Sequence, residues 1–315
     1  MKRIAAAVVL LALAAPAAAQ DFPSRPVRLV VPFPPGGPLD ISGRLIGKEL
    51  QDHWGQPVVV ENKPGSTIGP EYTAKSAPDG YTLMIISSTP LVTLPHLQPV
   101  PYDLLRDLIG VTQTTLLTYA LVANPSSGIA STQELIARAK KEPGKLNYAS
   151  AGNGSGQHLY VELLKSAAGI DLTHVPYKGA APALQAVLAG EPPIMLDVTV
   201  AVIPHVKSGK LRALLVTGDK PLDQLPGAAP FDSLFPGLGI PGWHGIFAPG
   251  GTPRPVLDRI AADIRWALAL PAVGNRFREL GVEPSGVSGD EFNAIVRRDF
   301  WRWGEIIQKN KLRAD

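Results

Sequence analysis

Cysteine does not occur among the 315 residues. Without thiols the chain has no disulfide, no thiolate nucleophile and no cysteine for lipid attachment. Six histidines are present, but none is separated from another by the H-x-x-x-H or H-E-x-x-H spacing of zinc sites. With no cysteine to complete a ligand set, we expect neither a metal site nor a cofactor.

Charge is also sparse, since Asp, Glu, Lys and Arg make up only 18% of the residues. The chain has 30 basic and 27 acidic residues, and two of the basic ones are Lys2 and Arg3 at the N-terminus. Without these two the balance is 28 against 27, or +1. The basic residues are scattered and not interleaved with aromatic residues, so nucleic acid is not an expected partner.

The apolar stretch near the N-terminus is too short to span a membrane. It covers residues 4–15, whereas a spanning helix needs about 20 residues. Lys2 and Arg3 precede it, and the small residues Ala17, Ala18 and Ala19 follow it. This pattern predicts a secretory signal peptide at residues 1–19, cleaved after Ala19, and export to the periplasm.

The segment VVPFPPGGPLD at residues 30–40 joins a predicted strand, 27–31, to a predicted helix, 39–54. Gly36 and Gly37 allow a sharp turn and a close approach of a ligand to the backbone. The first N–H groups of the helix have no intrahelical partner and lie at the positive end of its dipole. The segment therefore predicts a carboxylate or phosphate site, although Gly-Gly after a strand is also typical of a plain tight turn.

Strands and helices then alternate, with further strands predicted at 57–61 and 81–86. Such alternation predicts an α/β fold with a mainly parallel sheet, and ligands bind beyond the carboxyl ends of its strands. Ser87, Ser88 and Thr89 follow the strand at 81–86, so we expect their hydroxyl groups at the same crevice as Gly36 and Gly37, where they could donate to a ligand. Clusters of Ser and Thr are also common in ordinary loops.

The arrangement of strand, glycine-rich turn and helix recurs at residues 146–168. The turn contains Gly152, Asn153, Gly154 and Ser155, but it lacks the third glycine of a dinucleotide fingerprint and the lysine of a P-loop. It is interpreted as a second anion-binding turn. Asp197 ends the predicted strand 194–197, as either a ligand contact or a solvated or paired carboxylate.

Ser155 and His158 also permit an alternative function, that of a secreted hydrolase. The two residues are three apart and could share a helix face. The G-x-S-x-G spacing of a nucleophile turn fails, however, at Asn153 and Gln157. A helix-capping serine beside a packed histidine accounts for the same pattern.

The chain from about residue 25 to its C-terminus resembles the Bug family, the periplasmic solute-binding proteins of tripartite tricarboxylate transporters. The resemblance lies in PFPPGGPLD at 32–40, APDGYT at 77–82, ASAGNGS with His158, HVPYKG at 174–179 and FAPGGTP at 247–253. It implies a two-domain, type II periplasmic-binding-protein (Venus flytrap) fold with two crossing strands between the domains. We expect domain 1 at 20–122 plus 247–315 and domain 2 at 123–246.

The resemblance further implies a binding protein and not an enzyme, a small carboxylate as ligand, inner-membrane transporter subunits as partners, and a monomer. The ligand-binding residues expected from the family and from the turns are Phe33, Gly36, Gly37, Asp40, Ser88, Thr89, Asn153, Gly154, Ser155, His158 and Asp197. One departure is the loop after NKPG at 62–65, which has only Ser66 and Thr67 where the family has a longer glycine-rich run. We therefore expect a different cleft lip, and the sequence does not identify the carboxylate.

Overall fold

The computed structural model describes residues 22–218, 220–280 and 282–313. The predicted signal peptide and its cleavage site lie outside these residues. The strands of the described part are β1 (Val27–Val31), β2 (Val58–Asn62), β3 (Thr82–Ser87), β4 (Leu108–Leu117), β5 (Tyr119–Ala123), β6 (Asn147–Ser150), β7 (Thr173–Pro176), β8 (Ile194–Val198), β9 (Arg212–Val216), β10 (Ala229–Pro230), β11 (Gly242–Pro249) and β12 (Glu283–Pro284).

Helices connect most of these strands. They are α1 (Pro38–Trp54), α2 (Ile68–Ala74), α3 (Ser88–Leu97), α4 (Leu104–Asp107), α5 (Thr132–Lys141), α6 (Gly156–Ala168), α7 (Ala180–Ala189), α8 (Thr199–Lys207), α9 (Phe231–Leu234), α10 (Arg254–Ala269), α11 (Pro271–Leu280) and α12 (Gly289–Asn310). Across the described ranges, none of the helices is both long enough and apolar enough to span a bilayer.

The first sheet has six strands in the order β12-β4-β11-β3-β1-β2. β1 is parallel to β2 and β3, while β11 runs antiparallel to β3 and β4. Gly43 of α1 lies against one face, since a Cβ placed on it would be 3.2 Å from Ile85 Cγ2. Trp243 lies on the other face and donates its Nε1–H to Asp299 of α12 at 2.8 Å. Both faces are therefore covered, as an apolar parallel sheet requires.

The second sheet also has six strands, in the order β10-β9-β5-β8-β6-β7. β6 is parallel to β7 and β8, and β5 runs antiparallel to β8 and β9. The chain crosses from the first sheet to the second at Thr118, between β4 and β5, and returns with β11. The predicted boundaries at 122/123 and 246/247 lie inside β5 and β11, and the division into domains stays a prediction.

The segment from residue 88 to residue 117 differs from the sequence-based expectation. Ser88 and Thr89, for which an ordinary loop was the alternative interpretation, begin helix α3, which contains Pro95 in its interior. The polar segment 101–107 includes the short helix α4, and β4 follows it. The sequence does not predict β4, because its polar run, residues 112–115, is buried and shows no apolar alternation.

Candidate functional site

The carboxyl ends of the parallel strands bring the predicted turns to one edge of each sheet. In the first sheet Val30 pairs with Met84, so the turn after β1 lies beside the end of β3 at Ser87. In the second sheet Ala149 pairs with Met195, which places the turn after β6 beside Asp197 at the end of β8. Each sheet thus has a ligand-competent edge of the kind that the α/β topology predicts.

The two edges meet at the start of helix α6. A Cβ placed on Gly156 would be 2.8 Å from the Tyr119 hydroxyl oxygen and 3.2 Å from Thr89 Oγ1. Thr89 also hydrogen-bonds the Tyr119 hydroxyl group. Because Thr89 begins α3 after the first sheet and Gly156 begins α6 in the second, the helix N-termini of the two halves are in contact.

Most of the helices that start at these edges have no side-chain cap. The N-cap residues of α1, α3, α7 and α8 are Gly37, Ser87, Gly179 and Val198, and none makes a side-chain capping hydrogen bond. Helix α6 differs, because Ser155 Oγ accepts a hydrogen bond from the His158 backbone N–H. The uncapped N-termini combine unpaired N–H groups with positive helix dipoles, and this favours an anion.

The Asp40 carboxylate stabilises the first turn by accepting hydrogen bonds. One carboxylate oxygen accepts from the Gly36 N–H and from Arg44 Nε, both at 2.9 Å, and the other accepts from Asn62 Nδ2 at 2.8 Å. Burial alone would raise the pKa of Asp40, but the hydrogen bonds from Arg44, Gly36 and Asn62 outweigh it and hold the pKa below its usual value of 3.8. The Gly36 N–H and the Asp40 carboxylate are thus engaged with each other and hold the turn in place.

The neighbouring residue, Gly37, leaves open space at the start of α1. Its backbone has φ −77° and ψ 165°, and the nearest atom to a Cβ placed there is Pro34 O at 3.8 Å. The amides of Leu39 and Asp40 in the first turn have no acceptor within the helix. Phe33 is half-buried in the same turn, and its carbonyl accepts from Asn62 Nδ2 at 3.0 Å. The first turn therefore offers helix amides and open space.

Two stacked histidines support the second turn from behind. His158 Nδ1 accepts a hydrogen bond from the Gly154 N–H at 3.1 Å, and its ring stacks on His174 with centroids 4.1 Å apart. His174 Nε2 lies 2.6 Å from Ser150 Oγ, which in turn accepts from the Gly152 N–H at 3.0 Å. The ring of His158 thus positions the turn. Ser150 and His174 lie in two of the motifs shared with the Bug family, but neither is among the ligand-binding residues predicted from the sequence.

The remaining members of the second turn have different surroundings. Asn153 is exposed at its tip, and Gly154 has φ +72°, a conformation that favours glycine. Ser155 Oγ accepts from the backbone N–H of His158 at 3.3 Å, whereas the His158 ring nitrogen Nδ1 faces Gly154. Ser155 is therefore a helix cap, and this geometry gives no support to the hydrolase alternative.

Asp197 is almost completely buried at the end of β8, with 1% of its surface exposed. Its Oδ1 accepts from Gln157 Nε2 at 2.9 Å and from the Val198 N–H at 2.8 Å. Burial raises the pKa of Asp197 to about 6, against the opposing effect of these two hydrogen bonds. The Gln157 side chain therefore holds the Asp197 carboxyl group at the start of α6. In the sequence, Gln157 indicates only that the dinucleotide fingerprint and the G-x-S-x-G pattern are not present.

Ser88 and Thr89 are buried at the seam between the halves, and their hydroxyl groups are engaged there. Ser88 Oγ accepts from the Trp243 N–H at 3.0 Å, and Thr89 bonds Tyr119 as described above. Both residues lie at the predicted edge. The Ser88 hydroxyl group joins α3 to β11 within the first half, whereas the Thr89 hydroxyl group joins α3 to β5 of the second half.

A cavity of about 560 Å³ lies beside α6, next to the two histidines behind the second turn. Its lining includes Glu162, Lys165 and His174 and, from the end of the chain, Lys311 and Arg313. Of the predicted site residues it includes only His158. This cavity is therefore distinct from the predicted crevice between the two sheet edges.

Comparison with known proteins identifies the family. Residues 43–312 match the family described as the tripartite tricarboxylate transporter family receptor. The chain is 35% identical over 302 residues to the protein BugT of Bordetella pertussis, and the match covers 94% of this chain and 93% of BugT. The chain belongs to the tripartite tricarboxylate transporter receptor family.

Solved structures of related proteins have the same fold as this family member. A Rhodopseudomonas palustris protein, Rpa4515 with adipate, is 31% identical with a TM-score of 0.79, and the match covers 92% of this chain and 99% of that one. MatC of the same species, with bound malate, is 30% identical with a TM-score of 0.77, covering 91% and 100%. In this chain, the described residues include no group of three or more His, Asp or Glu side chains that could hold a metal ion.

Proposed function

We propose that this receptor-family protein is a periplasmic solute-binding protein that captures a small carboxylate between its two halves. The observation that carries the proposal is the convergence of helix N-termini at the two sheet edges, where Gly156 lies against Thr89. The N-termini of α1, α3, α7 and α8 lack side-chain caps, so their amides are available to an anion. Adipate and malate, which relatives bind, are carboxylates of this kind.

The energetics suit reversible capture. A hydrogen bond to a charged group contributes about 1.5–3 kcal/mol, and each helix terminus adds about 0.3–1 kcal/mol. A ligand bound with micromolar affinity requires about 8 kcal/mol. A few backbone donors from both halves therefore suffice, without an arginine or a metal ion.

The same proposal includes the expected partners and the mode of action. Binding draws the two halves together around the ligand, and the closed form presents a surface to the inner-membrane subunits of a tripartite transporter. The protein acts as a monomer, forms no complex with nucleic acid and catalyses no reaction. Ser155 supports the last point because its hydroxyl oxygen caps α6 and does not contact the His158 ring through Nδ1.

Calorimetry tests the function. Protein from the periplasmic fraction is unfolded and refolded to remove co-purified ligand, and is then titrated with mono-, di- and tricarboxylates and aromatic acids. We expect heat with at least one acid and none with its methyl ester, because the ester lacks the charge that the helix N-termini stabilise. Intact mass of the same protein tests cleavage after Ala19, and mass spectrometry of the released ligand identifies the natural one.

Two results would count against the proposal. One is the absence of heat with every acid together with turnover of an ester. The other is release of a neutral or cationic compound as the sole ligand of protein purified from its own host.

A further inference from the structure

Three polar residues lie side by side across the first sheet. His244 of β11 pairs with Ser87 of β3 on one side and with Thr115 of β4 on the other. Directly opposite residues in an antiparallel pair project from the same face, with Cβ atoms about 4.5–5.5 Å apart. Ser87, His244 and Thr115 therefore form one continuous group, called here the polar row.

The polar row lies on the face that α1 covers. Ile85 and Ile246 pair with each other two residues away from Ser87 and His244, so they project from the same face. Gly43 of α1 lies against Ile85 on this face. Ser87 is two residues closer than Ile85 to the carboxyl end of β3, the edge of the sheet at which α1 begins.

Two of the three members of the polar row are buried without a partner. Within the described ranges, the side-chain atoms His244 Nδ1 and Thr115 Oγ1 make no hydrogen bond. His244 is 8% exposed and Thr115 0%. Native proteins leave few buried polar atoms unpaired, so two such atoms on paired residues that project from one face indicate a polar group that binds beside them.

Exposure decreases along the polar row, which gives it an open end. Ser87 is partly exposed, whereas His244 and Thr115 are buried. Ser87 is the last residue of β3, at the edge where the proposed ligand lies, and its side chain does not cap α3. The hydroxyl groups of the next two residues, Ser88 and Thr89, are bonded to Trp243 and Tyr119. Of these three consecutive residues, Ser87 therefore has the hydroxyl group that remains for a ligand.

We infer that Ser87 and His244 form a neutral hydrogen-bonding subsite for a hydroxyl or carbonyl group of the ligand, next to its carboxylate. The inference rests on the proposed function and adds the determinant of ligand choice. Burial lowers the pKa of His244 to about 4, so the ring is neutral at pH 7 and offers one donor and one acceptor nitrogen. A second charged group would be buried in this row without a counter-charge, whereas a hydroxyl group satisfies Ser87 and His244 together.

Matched acids test the subsite. Refolded protein is titrated with malate and succinate, lactate and propionate, and 4-hydroxybenzoate and benzoate, which differ within each pair by one hydroxyl group. For the pair that binds, we expect the hydroxylated acid to bind at least about tenfold more tightly, the effect of one well-placed hydrogen bond. Ser87→Ala and His244→Phe should each reduce this preference to about threefold or less, mainly by weakening the hydroxylated acid.

Controls separate recognition from folding. Ser208→Ala and His205→Phe make the same chemical changes near the end of α8, and both should keep the wild-type preference. Ser87 is partly exposed, so Ser87→Ala should keep the wild-type melting temperature even if His244→Phe does not.

The outcomes distinguish the two proposals. Equal affinity within every binding pair, or an unchanged preference in folded Ser87→Ala, overturns the subsite and leaves the binding function in place. No binding of any acid overturns the proposed function itself.

Discussion

Replacement of Gly37 by serine tests the anion site at the start of α1. Gly37 is the N-cap residue and has ordinary extended dihedral angles, φ −77° and ψ 165°, so a side chain introduces no backbone strain. The nearest atom to its Cβ would be Pro34 O at 3.8 Å. A serine hydroxyl there would accept from the first-turn amides, as Ser155 does in α6 from the His158 N–H.

The expected effects on stability and binding have opposite signs. Replacing a glycine at a compatible position stabilises the fold by about 0.4–1 kcal/mol through the unfolded state, and the cap adds a few tenths. The hydroxyl oxygen, however, takes a place that a ligand oxygen would occupy. Loss of one charge-assisted hydrogen bond of about 1.5–3 kcal/mol weakens binding roughly 10- to 100-fold.

Denaturant unfolding and calorimetry of the same samples measure both effects. Gly37→Ala separates the volume of a methyl group from the effect of the hydroxyl acceptor, so we expect it to weaken binding less. Gly274→Ala is the matched control, because a Cβ on that residue of α11 would meet Arg278 Nη1 at an ordinary 3.5 Å. It should gain stability without a change in affinity. Wild-type affinity in folded Gly37→Ser would refute an anion site at these amides.

Three further predictions concern the residues that support the site. Asp40→Asn places an amide donor among the donors of Gly36, Arg44 and Asn62, so it should lower the free energy of unfolding by about 1–3 kcal/mol and weaken carboxylate binding. Ser155→Ala removes the cap of α6 and should cost about 1 kcal/mol in denaturant unfolding, with no change in any background ester turnover. The pKa of His244 is about 4 in the fold and 6.5 as a model value, so the unfolded state takes up its proton first as the pH falls. The free energy of unfolding should therefore fall between pH 6.5 and pH 4 by on the order of 3 kcal/mol from this residue, and His244→Phe should remove that part of the pH dependence.

Each of these predictions has a result that contradicts it. An unchanged free energy of unfolding in Asp40→Asn would mean that the Asp40 carboxylate does not stabilise the turn. Ester turnover that disappears with Ser155→Ala would revive the hydrolase alternative. For the pH dependence, His205→Phe is the control, and identical acid sensitivity in His244→Phe and wild type would show that His244 is not the residue responsible.

The sequence by itself determined the local elements of the site. The run of residues 32–40 predicts a turn with exposed amides because two glycines precede a helix start, and the turn after β6 repeats this logic. Both predictions depend on contiguous residues, as do the strand at Val27–Val31 and the anionic class of the ligand. Periodicity and turn chemistry act over short distances, so they can be read from one segment at a time.

Only the tertiary structure decided which groups are engaged and which remain free. Asp40 is bonded to Asn62 from another strand, Ser88 to Trp243, and Gln157 to Asp197, across separations that no local pattern encodes. The pairing of Ser87 with His244 likewise depends on the register of two distant strands. Hydrogen-bond partners are fixed by packing, and for that reason the sequence placed the polar side chains at the edge but could not assign their roles.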